Sequence, residues 1–370
     1  MPGRSRAAER GADRSGAPPA LGGPVALLFF LSGASGLIYE TAWSRLFQDL
    51  FGHSVHTNAA VLAGFMAGLG LGAAVAGAVA DRVQRPLRLY GLLELAIVAL
   101  VWTSPWQVAA VDRLLPATLG EAWAMPGAGL AARWLAAVGL VLLPASLMGA
   151  TLPLLCRALT VRASELGRVF GLLYGVNTLG AVAGVAAAGL WLIRDVGVVA
   201  TLRLGCVAGL VAGLGALWLA RREPAAFAAP SPSAAPGPGG AGRLLPPLLL
   251  AVVLVSGAAA LAGAVFWVRL FVFLLDSNIL SFTAVLGALL AAMGVGSLAL
   301  PRLVRRREHH LAALGWIELG LGLAGGASVL AFLHFDRLAA AAGALLGVAD
   351  PFASLAGRLL MVAAVVLLPG

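Results

Sequence analysis

Ten long apolar runs, joined by short polar or arginine-bearing segments, constrain this chain more than any other feature. They lie at approximately 24–40, 57–80, 88–106, 133–155, 169–193, 197–220, 245–270, 279–300, 311–333 and 355–370. A helix needs roughly 20 apolar residues to cross the hydrocarbon core of a bilayer. No water reaches the backbone there, so a spanning segment must satisfy its own N–H and C=O groups as a helix or join a closed barrel. The runs lack the in–out alternation of barrel strands. The predicted fold class is an all-α polytopic membrane protein with about ten transmembrane helices. Pro144 and Pro153 predict a kink or break in the fourth span.

Composition excludes the alternatives. The chain is 61% hydrophobic and 11% charged, against roughly 45–50% and about 25% in soluble domains. So few charges cannot cover a water-facing surface, which rules out a soluble enzyme, a disordered chain, a collagen and a disulfide-stapled secreted domain. The expected partner is the lipid bilayer. All 25 basic residues are arginine, and the net charge is +9. That charge does not mark a nucleic-acid partner, because the arginines sort by side of the membrane. Seventeen fall in the tail and in alternate joints, including Arg82, Arg85, Arg88, Arg157, Arg221 and Arg305. Eight lie on the other side, among them Arg45, Arg133, Arg269 and Arg358. The excess of arginine on one side predicts a cytoplasmic N-terminus.

Residues 1–23 read as a disordered cytoplasmic tail with no clear cleavage site. Residues 24–220 form a first unit of six helices. Residues 221–244 contain PAAFAAPSPSAAPGPGGAG, a flexible cytoplasmic linker that cannot bury a core. Residues 245–370 form a second unit of about four helices. The units resemble each other at a constant offset of 224: Ser32-Gly33-Ala34 matches Ser256-Gly257-Ala258, Trp43 matches Trp267, and Arg45-Leu46-Phe47 matches Arg269-Leu270-Phe271. Val61-Leu62 matches Val285-Leu286, Gly70 and Gly72 match Gly294 and Gly296, and Gly91 and Glu94 match Gly315 and Glu318. Arg133 pairs with Arg358 at an offset of 225. Six helices is an even number, so both units are expected to share one orientation, related by an axis along the membrane normal as in the two halves of major facilitator transporters. The first unit continues past Pro144 with two more helices, whereas the second reaches Gly370 first. The expectation is therefore a truncated second repeat and a chain that is a fragment.

Ionisable residues inside spans are costly and are candidate functional groups. Glu94 and Glu318 sit about two turns inside the third and ninth spans. A symmetric glutamate pair suits a cation or protons. The structural alternative pairs each with an arginine near the membrane face, such as Arg88 for Glu94 through a snorkelling side chain. Symmetry favours that scaffold role, because it places the same group in both halves. Glu40 and Arg45 are expected at the outer end of the first helix, and Arg269 repeats Arg45. Gly64, Gly68 and Gly72 at four-residue spacing allow close helix approach. His53-x-x-His56 has metal spacing only if its loop is helical, and reads as a solvated loop. Cys156 and Cys206 lack ligand spacing and read as small buried hydrophobes. No catalytic constellation, cofactor loop or metal set stands out.

Gly77-x-x-x-Asp81-Arg82-x-x-Arg85 resembles the loop between helices two and three of the major facilitator superfamily, with Gln84 and Pro86 as departures. The resemblance implies that Asp81 and Arg82 tie neighbouring helix ends and influence conformational switching. Three further segments are distinctive: Ser32 to Leu46 (SGASGLIYETAWSRL), Leu147 to Leu154 (LMGATLPL) and Gly171 to Ala181 (GLLYGVNTLGA). Together they resemble the membrane region of the bacterial fused major-facilitator/spermidine synthase proteins. That resemblance implies a bacterial inner-membrane protein, normally followed by an aminopropyltransferase domain that uses decarboxylated S-adenosylmethionine and a diamine. It implies an anchor or a transport unit for a small cationic solute such as a polyamine, with no catalytic site or cofactor in these residues. A stand-alone secondary transporter of a small solute is the alternative.

Overall fold

The computed structural model describes residues 19–48, 55–160, 165–222, 247–303 and 310–334, with positions 337, 340, 357–359, 362, 365 and 366. The expected tail up to residue 18, most of the linker and most of the tenth span lie outside the described residues, as does His53. Nine long helices are described: α1 Pro19–Leu46, α2 Val55–Val79, α3 Pro86–Leu119, α4 Pro126–Leu159, α5 Leu166–Ala187, α6 Val198–Leu219, α7 Pro247–Leu275, α8 Asn278–Leu303 and α9 His310–Leu333. All nine are long and apolar enough to cross a membrane. The chain is thus an all-α, multi-pass membrane protein. Trp102, Trp106 and Trp191 are exposed. The guanidinium of Arg203 lies 5.2 Å from the Trp102 ring centroid, and that of Arg133 lies 4.1 Å from Trp123. Amphipathic rings with arginines suit a membrane–water boundary.

Of the kink or break expected at Pro144 and Pro153, the break is absent. α4 passes Pro144 and Pro153 without a break, and α3 runs beyond the expected end at 106, through Pro105 and Pro116. A proline frees the carbonyl four residues earlier. For Pro105 that carbonyl belongs to Val101, and the Ser104 hydroxyl donates to it at 2.8 Å. Side-chain repair of this kind, with cover from neighbouring helices, lets membrane helices tolerate proline. α5 continues through a π-helical turn, Ala188–Leu192, and a last turn, Ile193–Val196. Gly197, at φ 85°, then reverses the chain into α6 within one residue.

Glycines set the helix contacts. A Cβ on Gly33 or Gly180 of one partner would meet the backbone of the other, at Asn177 and Phe30 respectively, and Gly184 meets Ala34. These contacts join α1 to α5. Gly68 and Gly72 of α2 sit on Leu142 and Ser146 of α4, and Gly149 of α4 sits on Leu69. Without a hydrophobic force between helices in lipid, such close backbone approach maximises dispersion contact. The registers also give direction. Contacts rise together along α1 and α5 and along α2 and α4, so these pairs are parallel. α8 runs against α5, since Gly175 meets Leu298 while Gly189 meets Thr283. Consecutive spans α1 and α2 run opposite ways, so α2 and α8 point the same way.

Two apolar cores follow. One gathers Trp43, Phe47, Val61, Ala137 and Val141. The other gathers Trp267, Phe271, Val285, Val362 and Val366. Each of these five lies 224 or 225 positions after its named counterpart in the first. Between them, Leu37 of α1 packs with Ala181 and Val185 of α5 and with Phe282 and Leu286 of α8.

Candidate functional site

Among the described residues, neither glutamate of the symmetric pair is held by an arginine. The Ser32 hydroxyl donates to Glu94 Oε1 at 2.5 Å, across α1 and α3. The Ser256 hydroxyl donates to Glu318 Oε2 at 2.9 Å, across α7 and α9. Both contacts span 62 residues of sequence. Arg88 is not the partner of Glu94. At two turns inside α3, Glu94 is level with a hydroxyl of α1, which satisfies it more cheaply than a long cation drawn into lipid. The surroundings then diverge. Glu94 is 1% exposed, because α6 crosses it with Gly213 against its Cβ. Glu318 is part-exposed.

Glu40 lies where the sequence did not place it. It is not at a wet helix end but wholly buried, at 0% exposure. Neither carboxyl oxygen has a hydrogen-bond partner among the described residues. The i, i+3, i+4 spacing puts Glu40 on the α1 stripe of Gly33, Gly36, Leu37 and Ser44. Gly33 meets Asn177 of α5, Gly36 lies beside Met148 of α4, and Leu37 packs on α5 and α8. That stripe faces the interior, where the two halves meet.

Just beyond it, a cleft opens between the halves. One part, a cavity of about 30 Å³, lies among Asn58 and Leu62 of α2, Val265, Val268 and Arg269 of α7, and Phe282 of α8. A second, of about 10 Å³, is lined by Thr41, Ser44, Arg45 and Gln48 of α1, again with Asn58 and Phe282. Arg45 donates to Gln48 Oε1 at 2.8 Å. Arg269, itself exposed, borders the first part and Arg45 the second, and Asn58 and Phe282 are shared between the two. The sequence singled out both arginines but gave no sign of Asn58 or Gln48, whose relevance depends on helix packing.

Asp81 and Arg82 stand apart from this cleft. They form a 3-10 turn, Ala80–Arg82, at the opposite end of α2. An Asp81 carboxylate oxygen lies 4.0 Å from Arg157 Nε, at the end of α4. That contact links two helix ends, although the Asp81 side chain is 85% exposed. The described residues contain no cluster of three or more metal-ligating side chains. Cys156 and Cys206 are free and buried. The described structure does not include the His56 side chain.

The segments singled out by sequence resemblance converge. Asn177 Nδ2 of α5 donates to the Phe29 carbonyl of α1 at 3.0 Å, beside the Gly33–Asn177 contact. Met148 of α4 faces Gly36 of the same α1 segment. Asn177 is the residue whose role sequence reasoning missed. Its only signal was a polar amide in an otherwise apolar run. No family model, curated protein or solved structure matches the chain.

Proposed function

We propose that this chain is the integral membrane module of a spermidine-synthase-like fusion protein. In this reading it is built from two like-oriented six-helix units of major-facilitator type and serves as anchor and solute-translocating unit in a bacterial inner membrane, with the N-terminus cytoplasmic. The convergence of the three family-like segments carries the reading. Asn177, Gly33 and Met148 come from three distant stretches, and all lie along one α1 face. The paired Ser–Glu contacts, the matching cores and the shared direction of α2 and α8 support the parallel repeat.

Translocation rather than anchoring alone is supported by the cleft. An anchor has no need of buried polar groups at a helix-bundle interface, which are expensive in lipid. The lining also bears on cargo. Arg45 and Arg269 repel a diamine and attract an anionic group. A polyamine cargo therefore rests on the family resemblance alone, and a solute with a carboxylate or similar anion is the reading favoured by the cleft.

Two experiments test this. The intact mass of the native protein, purified from its own membrane, is expected to exceed 37.4 kDa by a whole soluble domain. An excess of only two or three helices would favour the stand-alone transporter instead. Uptake of labelled carboxylates and of putrescine into proteoliposomes tests translocation. Uptake of a carboxylate that Arg45→Gln and Arg269→Gln reduce is expected, and no uptake of either class would leave an anchor.

A further inference from the structure

Three carboxyl groups are described deep among the helices, and the internal repeat separates them. Glu94 and Glu318 occupy equivalent positions, and each accepts a hydrogen bond from the equivalent serine. A group that both halves possess and satisfy in the same way is explained by helix packing. Glu40 has no such explanation. The position 224 residues later is Ala264, a lining residue of the cleft. Packing there is met by a methyl group, so the fold does not need a carboxyl at this register. Glu40 is nonetheless fully buried, with both oxygens unpartnered among the described residues.

An ionised carboxylate in that setting is untenable. Burying a charge without a partner costs far more than a membrane helix contact returns. The nearby elements offer no compensating cation. α2 carries no acidic or basic residue between Asn58 and Val79, and α8 carries none between Asn278 and Pro301. On α5 the charged groups are Arg168, Arg194 and Asp195 near its ends, with Tyr174 as a further titratable group. α4 carries Arg133 and Arg157 near its ends and Cys156. α6 contributes Arg203 and Cys206, α3 contributes Glu94 and Tyr90 with Arg88, Asp112 and Arg113 towards its ends, and α7 contributes Arg269. On α1 itself, Tyr39 donates to the Gly205 carbonyl of α6, and Arg45 donates to Gln48. None of these groups hydrogen-bonds the Glu40 carboxyl.

No metal set surrounds it: the described residues hold no cluster of three or more His, Cys, Asp or Glu side chains. A proton needs no cage. Ser44, one turn on along the same stripe, lines the cleft, so a small separation of α1 from α8 brings water to Glu40. We propose that Glu40 is a proton-binding site that is protonated in this closed arrangement and releases its proton when the cleft between α1, α2 and α8 opens. The step is a simple equilibrium of carboxylic acid with carboxylate and a solvent proton. The proposal rests on the translocation reading and adds proton coupling to it.

Infrared difference spectra of the full chain in lipid nanodiscs, recorded on stepping the pH upward with no solute present, test this. A protonated-carboxyl C=O band is expected to disappear as the pH rises. It should be absent in Glu40→Gln, shifted but still titrating in Glu40→Asp, and retained in Glu94→Gln. The Glu40→Asp variant keeps the test valid if Glu40→Gln folds poorly. A band that titrates unchanged in Glu40→Asp, or a wild-type spectrum with no titrating carboxyl, would overturn the proposal. Because no solute is used, failed uptake and failed proton binding are read separately.

Discussion

Ser32–Glu94 and Ser256–Glu318 are the same contact in two environments. In the first half α6 closes over the pair, with Gly213 against Glu94. In the second half no described helix covers Glu318, and neighbouring Trp316 and Leu319 are exposed. The glycines repeat the pattern. Gly72 is clamped against Ser146, while among the described residues Gly296, its counterpart, has nothing near its would-be Cβ; Gly91 meets Gly213 and Leu217, while Gly315 meets no described atom. The counterparts of Ser146 and Gly213, 225 positions on, fall outside these 370 residues. Within the 370-residue chain, identical residues thus meet different cover, and cover decides what a repeated contact is worth.

The largest expected effect tests that cover directly. Gly72→Leu should destabilise the bundle by about 3 kcal/mol, the upper range for overpacking against fixed backbone, while in the same 370-residue chain Gly296→Leu should leave unfolding in mixed micelles nearly unchanged. Equal losses would break the contrast. Next comes Ser32→Ala, which leaves a sealed carboxyl without its donor. It should cost about 1–2 kcal/mol, and Ser256→Ala in the 370-residue chain clearly less, because Glu318 is part-exposed among the described residues. Thermal unfolding of the two variants side by side reads the difference.

A smaller effect is expected at the tryptophans. Trp43 Nε1 donates to Ser104 Oγ at 3.0 Å, whereas Trp267 is held by Phe271 and Phe332 through ring contacts. Trp43→Phe should cost about 1 kcal/mol for the lost hydrogen bond. Trp267→Phe keeps an aromatic ring in place and should cost less, as denaturant midpoints will show. The smallest effect belongs to Asp81→Asn. Its contact with Arg157 is long and solvated, so the stability change should stay within about 0.5 kcal/mol. A larger loss would mean that this turn holds the first half together more than its geometry indicates.

Much of this architecture was legible in the chain, and the reasons are physical. Lipid admits few backbone solutions, so apolar runs translate almost directly into helices. The prolines alone did not decide whether a helix breaks, because continuity depends on groups such as Ser104, whose hydroxyl takes the carbonyl that Pro105 frees. The arginine pairing expected for Glu94 failed for a related reason. Spacing along one helix shows Arg88 within reach but not that Ser32 of another helix stands at the same depth. The recurrence of serine and glutamate 62 residues apart in both halves did hold that information. Glu40 was the hardest to read, since its burial depends on which stripe of α1 turns inward, and its neighbours Gly33 and Gly36 reveal that only through Asn177 and Met148.

The most direct measurement is a pair of double-mutant cycles, Ser32→Ala with Glu94→Gln and Ser256→Ala with Glu318→Gln, read by reversible unfolding in mixed micelles. For the 370-residue chain, a coupling of about 1.5 kcal/mol in the covered first pair and about 0.5 kcal/mol in the part-exposed second pair is expected, within the range of membrane hydrogen bonds. Equal couplings, or a stronger second pair, would contradict the claim that one repeated contact is graded by the helix that covers it.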